Sequence, residues 1–185
     1  MVKRMSEKSI QVTRLVLVII FSVVILTGTG VGIWVGVRNN SSSYPNPTWS
    51  FKVSGNIVGG EINITMQTML SLPFYEQVYT IKAKTNYDAL FKGVQLSYLF
   101  TEVIDVDPSA KNVTFSAWDG YSWTFNLSEV LNNDTYILAY MKEGQYLTSY
   151  LEGGNGYLWL IVPAKNPTDF NGQRCVKSVT EIIFA

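Results

Sequence analysis

The sequence predicts a mixed α+β domain carried behind one N-terminal transmembrane helix. Leu15–Val37 is a run of 23 residues without a charge, bounded by Arg14 and Arg38. Beyond it, short stretches of apolar–polar alternation end at Gly, Pro and Asp-Gly signals, the pattern of short strands. Between them lie a few segments with apolar residues at helical spacing, such as Ile64–Leu72 and Val94–Ile104. Many short strands interleaved with short helices give an α+β architecture.

At 1.5 Å per residue, a helix over Leu15–Val37 spans roughly 34 Å, enough for the hydrocarbon core of a bilayer. Lys3, Arg4, Lys8 and Arg14 precede it and Arg38 follows. The excess of positive charge before the span puts residues 1–14 in the cytoplasm as a tail. Everything after the span then lies outside the cytoplasm. A cleaved signal peptide would have a shorter apolar region and a small-x-small cleavage site, so a retained anchor is the better reading. Gly28, Gly32 and Gly36 share one helix face and could seat a partner helix, although glycine is common in such spans. Residues 38–48 (RNNSSSYPNPT) are polar and turn-rich and form a tether. Residues 49–185 form the outer domain.

Within that domain, Trp49–Val58 alternates and ends at Gly59-Gly60, giving a first strand and turn. Ile64–Leu72 is a helix, with Thr65 as cap and Pro73 as stop. Phe74–Lys84 alternates again and is a strand. Val94–Ile104 is a short helix, broken by Asp105-Val106-Asp107-Pro108. That Asp pair lacks the later ligands and glycine of a calcium loop, so it ends the helix. Asn112–Trp118 and Tyr121–Leu127 flank Asp119-Gly120, a strong hairpin signal. Ser128–Leu131 is one helical turn, Tyr136–Met141 a strand, and Glu143-Gly144 a turn. Leu158–Val162 is continuously apolar, hence a buried strand, and Val176–Phe184 is the last strand.

Composition excludes several chemistries. The chain has one cysteine and no histidine. It can make no intramolecular disulfide and no Cys/His zinc site, and a Ser-His-Asp or Cys-His catalyst is ruled out by inventory. From Asn39 onward there are nine basic and thirteen acidic residues, a net charge of −4. Phosphate backbones need a basic face, so nucleic acid is not the expected partner. Asn-x-Ser/Thr triplets at Asn39, Asn40, Asn63, Asn112, Asn126 and Asn133 all lie beyond the anchor, where a glycosylation machinery could reach them. An Asn/Ser/Thr-rich surface also produces such triplets by chance.

Five pieces between Asn112 and Lys177 have a characteristic order: Trp118-Asp119-Gly120-Tyr121, Ile137-Leu138-Ala139-Tyr140, Gly144-Gln145-Tyr146-Leu147, Leu160-Ile161-Val162-Pro163 and Arg174-Cys175-Val176-Lys177. In this order and spacing the chain resembles the molybdopterin-binding domain of sulfite-oxidase-type oxidoreductases, over most of Trp49–Ala185. Val53-Ser54-Gly55 and Thr65–Leu72 look like the family's opening strand and short helix. Phe91-Lys92-Gly93-Val94-Gln95-Leu96 looks like its tryptophan-x-Gly-Val-x-Leu turn, with Phe91 for tryptophan. Ile137–Leu147 is the closest match.

The resemblance implies a mixed-sheet fold and a pocket. Tyr121 matches the family's active-site tyrosine. Arg174 and Lys177 match basic residues that approach the pterin phosphate or the substrate oxyanion. The family's molybdenum is held by the pterin dithiolene and one cysteine thiolate, a soft ligand suited to it. That cysteine stands at the end of the strand before the Gly-Val turn, where this chain has Ile81-Lys82-Ala83-Lys84. The family's arginine before its Val-Val-Pro run is replaced by Trp159, and an indole cannot stand in for a guanidinium against an anion.

The candidate pocket residues are therefore Lys82, Tyr121, Arg174 and Lys177, with Trp159 filling space the cofactor would take. Each has a plainer reading. Tyr121 could be a cross-strand packing residue, Arg174 and Lys177 solvated charges, Lys82 an edge charge and Trp159 core. Cys175 reads as a small buried hydrophobe. No metal and no cofactor are expected, molybdopterin being the one the resemblance leaves open. The leading expectation is a membrane-anchored domain without molybdenum redox chemistry that binds a small anion, a modified cofactor or a protein partner through the old pocket. One alternative is an active oxidoreductase with an atypical ligand set, which needs a cleft lined by Tyr121, Arg174 and Lys177. Another is an adhesive surface module, which needs no concave pocket and exposes Tyr146 and Tyr150.

Overall fold

Successive side chains along a strand point to opposite faces. In Ser50–Gly55 (β1) that rule buries Phe51 and Val53 and leaves Lys52 and Ser54 at the surface side. The computed structural model describes residues 49–185. The predicted span 15–37, the tail 1–14, the tether 38–48 and the triplets at Asn39 and Asn40 lie outside the described residues. Among the described residues no helix is long and apolar enough to cross a membrane.

After β1 come β2 (Ile62–Thr65), α1 (Met66–Ser71), β3 (Tyr75–Ile81), β4 (Tyr87–Gln95) and α2 (Leu96–Tyr98), which continues as a π-turn over Leu99–Val103. Then follow β5 (Asn112–Ala117), β6 (Ser122–Asn126), α3 (Leu127–Leu131), β7 (Ile137–Lys142), β8 (Gln145–Tyr146), β9 (Trp159–Ile161) and β10 (Val179–Phe184). One sheet has the order β2-β1-β10-β5-β6, and β1 runs parallel to β10. The second has the order β3-β4-β7-β8, with β9 also paired to β7. The sheets are thus mixed, as an α+β domain requires.

Two apolar clusters sandwich the second sheet. Leu138, Tyr140, Leu158 and Leu160 join Phe51, Val113, Phe115 and Ile182 of the first sheet in the main core. Ile137, Ala139, Trp159 and Ile161 point the other way and join Tyr79, Ile81, Ala89 and Phe91. A strand buried on both faces reads as a continuous apolar run, which is why Ile137–Tyr140 and Trp159–Ile161 carry no alternation.

Three expectations need correction. Ile64–Leu72 is not all helix: Ile62–Thr65 pairs with β1, and the helix starts at Met66 with Thr65 accepting from the Thr68 amide at 3.2 Å. Thr65 is the cap, as predicted. Val94–Ile104 does not begin a helix at Val94, because Val94 and Gln95 pair with Leu138 and Ile137. Tyr87–Gln95, for which no strand is predicted, is a nine-residue strand at the centre of the second sheet. Gly93 explains the miss. A Cβ there would lie 2.3 Å from the Leu138 carbonyl oxygen, so the glycine marks a close approach of two strands and not a turn.

Beside Gly93 the β4–β7 ladder shifts register. Lys92 faces Met141 while Gly93 faces Ala139, so β7 carries one extra residue, Tyr140. A bulge of this kind breaks the alternation. Tyr140 and Met141 both pack on the main core, and Lys142 comes round to face Phe91 on the outer side.

Candidate functional site

Residues 163–178 connect β9 to β10 without a strand and close over the second cluster. Asn171 fixes them. It is fully buried, its Oδ1 accepts from the Lys82 amide at 2.7 Å, and its Nδ2 donates to the Thr80 carbonyl at 3.0 Å and the Val162 carbonyl at 2.8 Å. The Gly172 amide donates to the Lys82 carbonyl at 2.9 Å. This seat is tight: a Cβ on Gly172 would lie 2.7 Å from the Ala83 Cβ. The connection is therefore pressed onto the end of β3.

Arg174, 8% exposed, lies one turn further on. Its Nη2 pairs with Asp169 and donates to the Pro163 carbonyl at 3.3 Å. Its Nη1 is buried without a hydrogen-bond partner. Nearby, the Tyr136 hydroxyl donates to Glu129 at 2.7 Å, and Glu129 pairs with Lys165 at 2.7 Å. Lys165 holds the Glu129 carboxyl below its ordinary range. Burial and the Glu129 bond push the Tyr136 phenol up to about 12, against a smaller opposing pull from Arg174. Charges of both signs are thus interlocked around Arg174, which neutralises much of what its guanidinium could offer an anion.

The four predicted pocket residues do not gather in one hollow. Lys82 donates from Nζ to the Pro167 carbonyl at 2.7 Å and lines a hollow of about 470 Å³ with Val78, Thr80, Pro163 and Asn166. Arg174 lines another, of about 460 Å³, with Trp123, Asn166, Thr168 and Gln173. Asn166 borders both. Tyr121, 44% exposed, donates its hydroxyl to the Gln173 carbonyl at 2.5 Å and so braces the same connection from the β5–β6 hairpin. Lys177 stands elsewhere, its Nζ 4.8 Å from the centre of the Trp159 ring.

Trp159 is 5% exposed, packs on Phe91 at 5.7 Å and donates its indole N–H to the Asn155 carbonyl at 3.0 Å. Lys142 approaches the same ring, 5.7 Å from its centre and 4.8 Å from that of Tyr87. Lys142, Tyr87, Asn171 and Gly172 are absent from the sequence-based set. Strict alternation from Ile137 and Ala139 would select Met141 for this face, and only the bulge brings Lys142 there. Asn171 looks like any loop asparagine until its two carbonyl acceptors are placed.

Cys175 borders the second cluster. Burial pushes its thiol up to about 11, and the Sγ–H is directed at the Val162 carbonyl at 3.7 Å. At neutral pH it is a thiol and not the thiolate that metal binding requires. The residues present do not fit the family's molybdenum centre. The only thiol that could serve is partly buried and protonated at neutral pH, and the place at the end of β3 is taken by Asn171 and Gly172. Among the described residues no three His, Cys, Asp or Glu side chains come together as a metal-binding group.

An adhesive module would lack hollows, and the two just described run against that expectation. Its aromatic prediction divides: Tyr146 is half-buried and stacks on Tyr140, whereas Tyr150 is exposed and lies against Trp118. Of the described acceptor triplets, Asn63 and Asn112 are exposed on strands. Asn126 uses its Oδ1 to cap α3, and Asn133 accepts from the Thr135 amide and hydroxyl.

A family model described as oxidoreductase molybdopterin binding domain matches residues 38–185. Among solved structures, the sulfane dehydrogenase SoxCD from Paracoccus pantotrophus is similar at a TM-score of 0.59 and 18% identity, over 74% of this chain. At that identity the likeness speaks for the fold alone. This chain spans 38% of the length of that one. No curated protein matches.

Proposed function

The chain belongs to the oxidoreductase molybdopterin-binding domain family, and from that premise we propose that this member is a membrane-anchored binding domain, facing away from the cytoplasm, that does not run molybdenum redox chemistry. One observation carries the reading. The only cysteine of the chain is partly buried with its thiol pushed up to about 11, and the end of β3 holds Lys82 and Ala83 with Gly172 packed hard against them. A soft thiolate has no counterpart in lysine or alanine. The aromatic packing of Trp159 on Phe91 supports the same reading, because it fills the outer face of the second sheet with apolar side chains.

The anchor is supported by the uncharged run Leu15–Val37 and the basic residues before it. The exposed Asn63 and Asn112 are the acceptor triplets best placed to carry glycans. The deciding experiment is elemental and pterin analysis of the full-length chain purified from its own membranes. We expect molybdenum far below one atom per chain and no extractable pterin. A stoichiometric molybdenum content with an extractable pterin would falsify the proposal. Extraction of the membranes at alkaline pH tests the anchor separately: release of the chain into the supernatant removes it.

A further inference from the structure

An apolar cluster stands exposed where the chain enters the described domain. Trp118 is 59% exposed and Tyr150 42%, and their ring centres lie 4.9 Å apart. Leu151, the next residue, is 100% exposed. A single exposed leucine is ordinary in a folded domain. Here the leucine adjoins a packed Trp–Tyr pair drawn from two segments far apart in sequence, which makes a patch. The turn that carries it is closed. The Ser149 amide and hydroxyl donate to the Glu152 carboxylate at 3.0 and 2.9 Å. The Gly153 amide donates to the Tyr150 carbonyl at 3.1 Å, and the Gly154 amide to that of Ser149 at 2.8 Å. Leu151 is thus displayed by a turn that is fastened on both sides of it.

Strand topology places the cluster at the entry end. β1 runs parallel to β10, with Lys52 opposite Glu181. β10 pairs antiparallel with β5, with Val179 opposite Ala117. The start of β1, the start of β10 and the end of β5 therefore share one end of the first sheet, and Trp118 follows β5 there. Two strand spacings, roughly 10 Å, separate the entry from the hairpin. The 149–157 segment reaches the same end: Trp49 stacks on Tyr157 at 6.4 Å, and the Tyr157 hydroxyl donates to Glu152 at 3.4 Å. Eleven residues, 38–48, join Trp49 to the expected span. In any conformation they reach at most roughly 40 Å, about one diameter of a domain this size. The two neighbouring carboxylates are already engaged, Glu152 in its turn and Asp119 with the Tyr121 amide at 3.0 Å.

We propose that Trp118, Tyr150 and Leu151 form a docking surface for the lipid bilayer, seating the folded domain on the extracytoplasmic leaflet. Trp and Tyr rings suit the headgroup level, with an apolar body and one polar group each. A leucine beside them reaches the acyl boundary beneath. The cluster carries no charge, so it matches a zwitterionic surface such as phosphatidylcholine and needs no anionic lipid. The short connection makes docking an intramolecular event, for which a weak intrinsic affinity is enough. The inference rests on the anchored reading above for its proximity to lipid, and it adds a second lipid contact made by the folded domain itself.

The test reconstitutes the full-length chain in phosphatidylcholine vesicles, with and without lipid brominated high on the acyl chain, and reads quenching of tryptophan fluorescence. Trp34 lies in the expected span, so the quenching lost in Trp34→Phe reports the anchor. In that background, the quenching further lost in Trp118→Phe reports the cluster. Both are expected. Leu151→Asp should cut the Trp118 share at least about threefold, and Leu151→Phe should keep it. Full exposure of Leu151 means that neither change disturbs packing, and near-ultraviolet circular dichroism matching the parent checks this. Added phosphatidylglycerol or sodium chloride should change the Trp118 share less than about twofold. A Trp118 share that is absent, unchanged in Leu151→Asp, or dependent on anionic lipid overturns the proposal. So does a Trp118 shielded from lipid only as the protein-to-lipid ratio rises, which identifies a second copy as the occupant. Quenching of Trp34 alone sinks the docking surface and leaves the anchor standing. Quenching of Trp118 alone upholds the docking surface and removes the anchor, so the two failures are separable.

Discussion

Asn171→Asp changes one amide group to one oxygen and leaves the shape intact. The amide now donates to the Thr80 and Val162 carbonyls and accepts from the Lys82 amide. A carboxylate keeps the third bond and loses the first two, so two buried carbonyls face a negative charge. Each abandoned buried group costs about 1–3 kcal/mol. Enclosing the charge adds to that, unless the carboxyl takes up a proton and regains one donor. The expected loss is roughly 3–5 kcal/mol at pH 7, a large part of the stability of a domain this size. Burial among acceptors raises the native pKa of the new carboxyl above its unfolded value. Its protonated form is the one the native state favours, so the deficit is widest above the native pKa and narrows as the pH falls through it. Chemical denaturation of parent and variant, followed by near-ultraviolet circular dichroism at about pH 7 and pH 5, measures the gap directly. A loss under about 1 kcal/mol at neutral pH, or a gap of the same size at both values, would refute the hydrogen-bond assignment.

Cys175 should resist alkylation: with its thiol raised to about 11 from 9.0, the thiolate at pH 8 is scarcer by about a hundredfold than in the unfolded chain, and iodoacetamide labelling should slow at least that much in the native protein. Gly172→Ala should cost about 1–3 kcal/mol, read as a lower denaturation midpoint, because its Cβ meets the Ala83 Cβ and the Lys82 carbonyl oxygen. Glu129 and Glu181 are both held below their ordinary value of 4.5 by Lys165 and Lys52, so their contributions are present above that value and lost as the pH falls below it. Stability should therefore decline on acidification through about pH 4, and Glu129→Gln should flatten that decline. Trp159→Arg would set a third cation beside Lys142 and Lys177 with no carboxylate at hand, and should destabilise by about 3–5 kcal/mol in the same assay.

Much of the fold was legible because local rules and tertiary structure agree. Asp119-Gly120 sits in a hairpin in which Gly120 has φ +86° and the Asp119 carboxylate accepts from the Tyr121 amide. Thr65 caps its helix, and the apolar runs at 137–140 and 159–161 are strands buried on both faces. What escaped depends on partners remote in sequence. β4 hides because its glycine, which usually punctuates, serves a strand–strand contact with Leu138 and Ala139. The brief strand β2 hides because its alternation runs straight into α1. For the candidate site, the resemblance singles out Tyr121, Arg174 and Lys177 individually as candidates. They do not give the geometry that directs Arg174 to Asp169, Tyr121 to a backbone carbonyl and Lys177 to Trp159. Those directions are set by how the 163–178 connection is pinned, and the pin, Asn171, has no motif.

The extra residue in β7 has a further consequence for anyone who redesigns or aligns this domain. The side of the sheet on which Lys142 emerges is decided by a count, not by a residue type. Straightening that strand into a regular ladder while keeping all its residues would swing the ammonium into the dry seam between the sheets, where its charge has no counterpart. Any alignment that closes a gap there would pair this lysine with the wrong neighbour and assign its charge to the wrong compartment of the molecule.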